Sequence, residues 1–156
     1  MYRIKVGLAI LLFVIALSLV LSNSAAPDKE LLFGLKRFQE KNFLSLKNSP
    51  EDKVNYYIVL LERRLREIED LRKSENNTYM SPASLRYAAT AGELTDFLFQ
   101  NGLTQYKETI LEKFQKDQEK LKFLVDSFPR TQGDEWKYIE DDINYLKINS
   151  ERLQKL

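Results

Sequence analysis

Over residues 6–21 the chain carries no charge (VGLAILLFVIALSLVL), and after residue 30 the pattern changes: apolar side chains recur at intervals of three and four with charged ones between them. Those intervals keep apolar groups on one face of a helix that turns every 3.6 residues. The expected fold class is therefore all-α, an N-terminal transmembrane or signal helix followed by a bundle of four to five helices. A first helix is expected over 29–46, with Leu32, Leu35, Phe38, Phe43 and Leu46 as its buried stripe and a stop at Lys47 and Asn48. Ser49-Pro50-Glu51-Asp52 then opens a second. The serine accepts from an unpaired N–H, the proline sits where a missing N–H costs nothing, and the acids favour the positive end of the helix dipole.

That second helix is expected to reach residue 76 along a seam of Val54, Ile58, Leu61, Leu65 and Ile68. Ser81-Pro82 repeats the start signal before a segment over 83–101, where Ala83, Ala88, Ala89, Ala91 and Gly92 would let a neighbouring helix approach closely and Gly102 would end the helix. A helix from Thr104 carries Tyr106, Ile110, Phe114, Leu121, Leu124 and Val125, and Phe128-Pro129 stops it. The last begins near Asp134 and carries Trp136, Ile139, Ile143, Leu146 and Leu153.

The uncharged run at the start has a different solvent in view. A helix of such residues bonds its own backbone and prefers hydrocarbon to water, while Arg3 and Lys5 hold the N-terminus in the cytoplasm. The residues expected to meet lipid are Val6, Leu8, Ile10, Leu11, Leu12, Phe13, Val14, Ile15, Leu17, Leu19, Val20 and Leu21. The run is slightly short for a span of roughly 30 Å and slightly long for the apolar core of a signal peptide. Ile4 and Ser22 extend it, with Lys5 reaching back to the interface, so a retained anchor is expected. Cleavage before Ala25, behind Ser22 and Ser24, is the alternative and would release a secreted chain. Residues 1–24 are accordingly read as signal peptide or membrane anchor, 25–30 as a short linker and 31–156 as one extracytoplasmic helical domain at the cell membrane.

Composition narrows the chemistry. Removing Arg3 and Lys5 from 24 basic residues leaves one fewer than the 23 acids, so the outer domain lacks the basic surplus that a nucleic-acid binder needs to release counterions. The chain has no Cys and no His. Disulfides, Cys and His zinc sites, His-ligated haem, Glu-x-x-His di-iron sites and Ser-His or Cys-His nucleophile pairs cannot be built from it. Nor do its five glycines form a phosphate-binding loop. No cofactor and no enzymatic activity are expected. The acid clusters Glu67-Glu69-Asp70 and Glu140-Asp141-Asp142 lack a calcium-loop pattern and read as solvated surface, and Tyr56, Tyr57, Trp136, Tyr138 and Tyr145 read as core and rim.

Leu35-Lys36-Arg37 with Glu40, then Ser49-Pro50-Glu51-Asp52-Lys53, then Leu61-Glu62-Arg63-Arg64-Leu65-Arg66-Glu67 together resemble a bacterial extracytoplasmic family of unknown function. Its members place a leader or membrane helix first, and it also occurs in some anti-sigma-like proteins. The resemblance covers residues 31–71, implies location and a helical fold, and brings no catalytic residues. The expected role is a non-catalytic, membrane-anchored interaction module of the bacterial envelope that docks another envelope protein or itself; a binder of an envelope peptide, lipid or glycan fragment is the alternative. Arg63, Arg64 and Glu67 are the expected partner-binding residues, because the helix that carries them combines the family-like motif with the densest charges.

Overall fold

Ser49 starts the first long helix as its neighbours dictate: its hydroxyl accepts from the Asp52 N–H at 3.0 Å, and Pro50 occupies the first helical position. A computed structural model describes residues 40, 42–129 and 133–156. The chain divides into two units, Met1–Lys47 and Asn48–Leu156. In the first, residues 42–45 are helical, and the Leu46 N–H bonds the Asn42 carbonyl at 3.1 Å before the helix ends. Phe43 and Leu46 are exposed rather than part of a buried stripe. The rest of the helix expected over 29–46, and the whole apolar run of 6–21, lie outside the described residues.

Among its described residues the second unit holds four α-helices, which we number α1 (Pro50–Lys73), α2 (Met80–Asn101), α3 (Lys107–Asp126) and α4 (Trp136–Leu153). Among the described residues there is no strand, and the fold is all-α. No helix of the described residues is long and apolar enough to cross a membrane. Three boundaries differ from expectation: α3 begins at Lys107 instead of Thr104, and two more shift at the α1–α2 corner. The helix from Ser49 stops at Lys73, and α2 begins at Met80, which places Ser81 and Pro82 inside its first turn instead of at its cap.

The α1–α2 and α2–α3 corners share one backbone design. Glu75 (φ 56°) and Gly102 (φ 61°) each adopt the left-handed conformation that ends a helix. The N–H of the next residue then bonds back to a carbonyl in the last turn, Asn76 to Leu71 at 3.1 Å and Leu103 to Leu98 at 3.0 Å. A single 3₁₀ turn follows in each case, Asn77–Tyr79 and Thr104–Tyr106, and leads directly into the next helix. Glycine suits that backbone at the second corner; a glutamate bears it at the first.

Pairs across the interfaces give the topology. Arg64 meets Thr90 and Glu67 meets Arg86, so α1 and α2 run antiparallel. The Lys107 ammonium donates to the Gln154 carbonyl, so α3 and α4 do too. The two hairpins join where α2 lies parallel to α4: Ser84 bonds the Tyr138 carbonyl near their N-terminal ends, and Arg152 pairs with Asp96 near their C-terminal ends. Among the small side chains of α2, Ala83 and Ala91 are wholly buried. Gly92 contributes nothing comparable, since a Cβ there would meet no atom within 4 Å. Leu61, Ile68, Leu94, Phe114, Ile139 and Leu146 fill the centre, each stabilising the fold by about 1.5–3 kcal/mol through burial.

Candidate functional site: the open side between α1 and α3

α1 packs on α2, α2 on α4 and α4 on α3, which leaves α1 and α3 as the two outer helices. They run parallel and meet mainly at their C-terminal ends, where the Arg72 guanidinium donates to the Ser127 carbonyl at 2.7 Å and lies 4.5 Å over the Phe128 ring. Between residues 62–73 of α1 and 113–124 of α3 lies a groove of about 870 Å³. Leu65 and Leu124 belong to its lining, and Phe123, also in the lining, is 75% exposed. One wall is the α3 face that presents Lys113, Lys116, Glu119 and Lys120; the other is the α1 face that presents Glu62, Arg66, Glu69 and Lys73, so both walls mix the two signs.

The groove borders a buried polar cluster. Asp117, 1% exposed, accepts from Lys113 at 2.6 Å and from the Tyr87 hydroxyl of α2 at 2.9 Å. Burial first, and then the Asp117 charge, push the Tyr87 hydroxyl far up from its ordinary pKa, so it remains a donor. Asp142 of α4, whose charge also acts on Tyr87, is likewise 1% exposed, and neither of its carboxyl oxygens has hydrogen-bond geometry with a partner among the described residues. Burial pushes its pKa up to about 8; the nearby Ser84 hydroxyl pulls it back in part, and Asp141 adds to the rise. The Ser84 hydroxyl itself donates to the Tyr138 carbonyl at 2.8 Å.

A second polar cluster lies between α1 and α2. Glu67 sits 3.9 Å from Arg64 and 3.4 Å from Arg86, and the Arg64 Nε donates to the Thr90 hydroxyl at 3.4 Å. Arg64 and Glu67 are buried, and Arg63 beside them is half-buried. This corrects the expectation that Arg63, Arg64 and Glu67 share a solvent-facing patch: the seam positions of α1 continue from Leu61 through Arg64 to Ile68, so helical geometry turns Arg64 inward. Asp142 is a second correction, since it was expected on a solvated surface. Tyr57 is buried while Tyr138 and Tyr145 are exposed on α4, and none of the five aromatic residues singled out above lines the α1–α3 groove.

The sequence held a signal for the buried polar groups. The apolar positions of α3 leap from Phe114 to Leu121, and those of α4 from Leu146 to Leu153. A gap of two turns in a seam marks a position that must still face inward, and Asp117 and Asn149 occupy those positions. The groove had no such signal, because which helices remain unpacked depends on how the hairpins join.

Among the described residues no three His, Cys, Asp or Glu side chains converge to hold a metal ion. Residues 24–144 match the family described as "Domain of unknown function (DUF5667)". The chain belongs to that family. The DUF5667 match spans α1, α2, α3 and the first half of α4, so both buried clusters and the whole groove fall within the shared domain. Neither curated proteins nor solved structures provide a match to the chain.

Proposed function

We propose that the chain is a non-catalytic interaction module of the bacterial envelope, anchored by residues 6–21 with its helical domain outside the cytoplasm, and that it docks a protein partner through the α1–α3 groove. The observation that carries this reading is the groove itself. A bundle that buries its apolar seams elsewhere leaves Phe123 75% exposed in an open channel beside Leu65 and Leu124. An aromatic side chain flanked by apolar groups and rimmed by charge is the usual composition of a protein interface centre. Two observations support a non-catalytic role: the chain has no His or Cys, and Asp117, the buried acid beside the groove, is already engaged by Lys113 and Tyr87. The apolar run behind Arg3 and Lys5 supports the anchor.

A photo-crosslinking residue placed at Phe123 in cells tests both parts. It is expected to yield one discrete protein adduct in the membrane fraction, on a chain that still begins at Met1. A mature chain beginning at Ala25 would overturn the anchor, and crosslinking no different from a control position at Glu140 would overturn docking at the groove.

A further inference from the structure

We propose that the outer face shared by α2 and α4 is a self-association surface, on which a second copy of this chain packs about a two-fold axis. None of its residues lines the α1–α3 groove, so it goes beyond the docking reading and does not depend on it. Helical geometry builds the face. On α2, Leu85, Ala89, Gly92, Asp96 and Phe99 recur at four, three, four and three, and on α4, Tyr138, Asp141, Tyr145, Ile148 and Arg152 recur at three, four, three and four. Each set is one stripe of its helix. Two contacts set the stripes side by side: Ser84, next to Leu85, bonds the Tyr138 carbonyl, and Arg152 pairs with Asp96 while its guanidinium lies 5.8 Å over the Phe99 ring.

The first ground is area. Leu85, Phe99, Tyr138, Tyr145 and Ile148 are between 37% and 65% exposed. At about 200 Å² for a large side chain in full exposure, these five leave roughly 500 Å² of apolar surface in one place, near the upper end for a patch on a monomer. Two copies joined here, rims included, would cover on the order of 1,200 Å², the lower end of what a stable interface buries. The second ground is relief. Ala89 and Gly92 are low ground on α2, and a Cβ at Gly92 would meet no atom within 4 Å. A two-fold axis that sets α4 of one copy on α2 of the other brings the Tyr145 and Ile148 ridge onto that low ground, and the same contact forms twice. The third ground is charge, since a surface that meets its own copy must not repel itself. Asp96 and Arg152 neutralise one another, which leaves Asp141 as the stripes' only charge outside an ion pair among the described residues. A strongly charged partner would find little here to pair with, and an anionic lipid surface would meet Asp141 with no spare cation beside it in either stripe.

The chain has no cysteine, so an introduced thiol is unique. Chains carrying Ala89→Cys, co-expressed with chains carrying Tyr145→Cys and treated in isolated membranes with a short bismaleimide, are expected to join to one another. The same reagent should join no chains that carry Glu62→Cys or Glu119→Cys, which lie on the groove. In non-ionic detergent the full chain should sediment as a dimer at micromolar concentration. Tyr145→Glu with Ile148→Glu should raise the dissociation constant at least tenfold, and Leu85→Glu alone several-fold, with circular dichroism unchanged. All three positions are exposed, and if the double variant loses its helical signal, Leu85→Glu decides. Single chains throughout the micromolar range, dimers indifferent to the glutamates, or crosslinks at the groove positions in place of Ala89 and Tyr145 would overturn the proposal. So would phosphatidylglycerol vesicles that bind through Tyr145 and Ile148 while the chain stays monomeric. Dimers that persist when the Phe123 adduct fails would remove groove docking and leave this face standing; an adduct that persists when the dimer fails would do the reverse.

Discussion

Two buried polar clusters flank α2, and they manage charge in opposite ways. Between α1 and α2, Glu67 is set against two guanidiniums, Arg64 and Arg86, and every charged group has a counter-charge within 4 Å. On the far side of α2, Asp117 is held by Lys113 and Tyr87, whereas Asp142 forms no ion pair among the described residues and is kept by burial in its protonated form around neutral pH. A carboxyl group can thus occupy a helix seam by two routes, as an ion with a partner or as a neutral acid without one. The first route ties helices together at any pH near neutrality; the second makes the α2–α4 contact depend on a proton.

The strongest test of that contrast is to add a carboxylate with neither provision. Leu61→Asp on the α1 side and Ile139→Asp on the α4 side each place one at a position with no exposure. An unpartnered charge there costs several kcal/mol, comparable to the whole stability of a small domain. Both variants are expected to lose cooperative thermal unfolding by circular dichroism. Native-like melting would mean that these seams can take a charge without either device.

The two natural acids should then respond with opposite signs. Asp117→Ala strands the Tyr87 hydroxyl and the Lys113 ammonium and should destabilise the fold by about 3 kcal/mol in urea titrations at pH 7. Asp142→Asn mimics the protonated acid and should stabilise it at pH 9 by several kcal/mol. The sign follows from proton binding. With a pKa of about 8 when folded against an ordinary 3.8, Asp142 holds more protons in the folded chain across that window. Its favourable contribution is complete below pH 3.8 and is lost as pH rises through 8. The stability difference between Asp142→Asn and the parent should accordingly vanish near pH 4 and grow towards pH 9; a difference that stays constant with pH would place Asp142 among the paired acids.

The smallest effects belong to the corners, where α1 and α2 end on the same backbone with different residues. Gly102→Ala puts a Cβ on a left-handed residue and should cost about 1 kcal/mol, while Glu75→Gly relieves that strain and should stabilise by up to about 1 kcal/mol. Equal and opposite shifts in the melting temperature would show that the two corners are energetically alike as well as geometrically alike. A loss on Glu75→Gly would instead assign the glutamate side chain a role that its backbone does not reveal.

Much of the helical plan was legible in the chain, because its signals act over a few residues. Ser49-Pro50 needed only its neighbours to start α1, Gly102 only its own missing Cβ to end α2, and Phe128-Pro129 only local sterics to follow α3. Ser81-Pro82 misled for the same reason: the motif is local, but the turn that precedes α2 is set by the geometry Glu75 imposes on the end of α1, so the helix had already begun at Met80. The candidate site was less legible still. Arg63, Arg64 and Glu67 stood out as a dense array of charge, and charge density along a sequence does not say which way a helix is turned.

What the sequence determined by itself is therefore the set of helices, their caps and most of their apolar seams, since periodicity and capping are properties of one segment and its own backbone. The tertiary structure alone decided which segments became neighbours: that α2 packs on α4, that Arg64, Asp117 and Asp142 are enclosed, and that α1 and α3 are left with a groove between them. Pairing of helices depends on the fit of whole faces brought from distant parts of the chain, so burial of a polar residue, the pKa that follows from it, and the existence of an open channel come into being only when those faces meet.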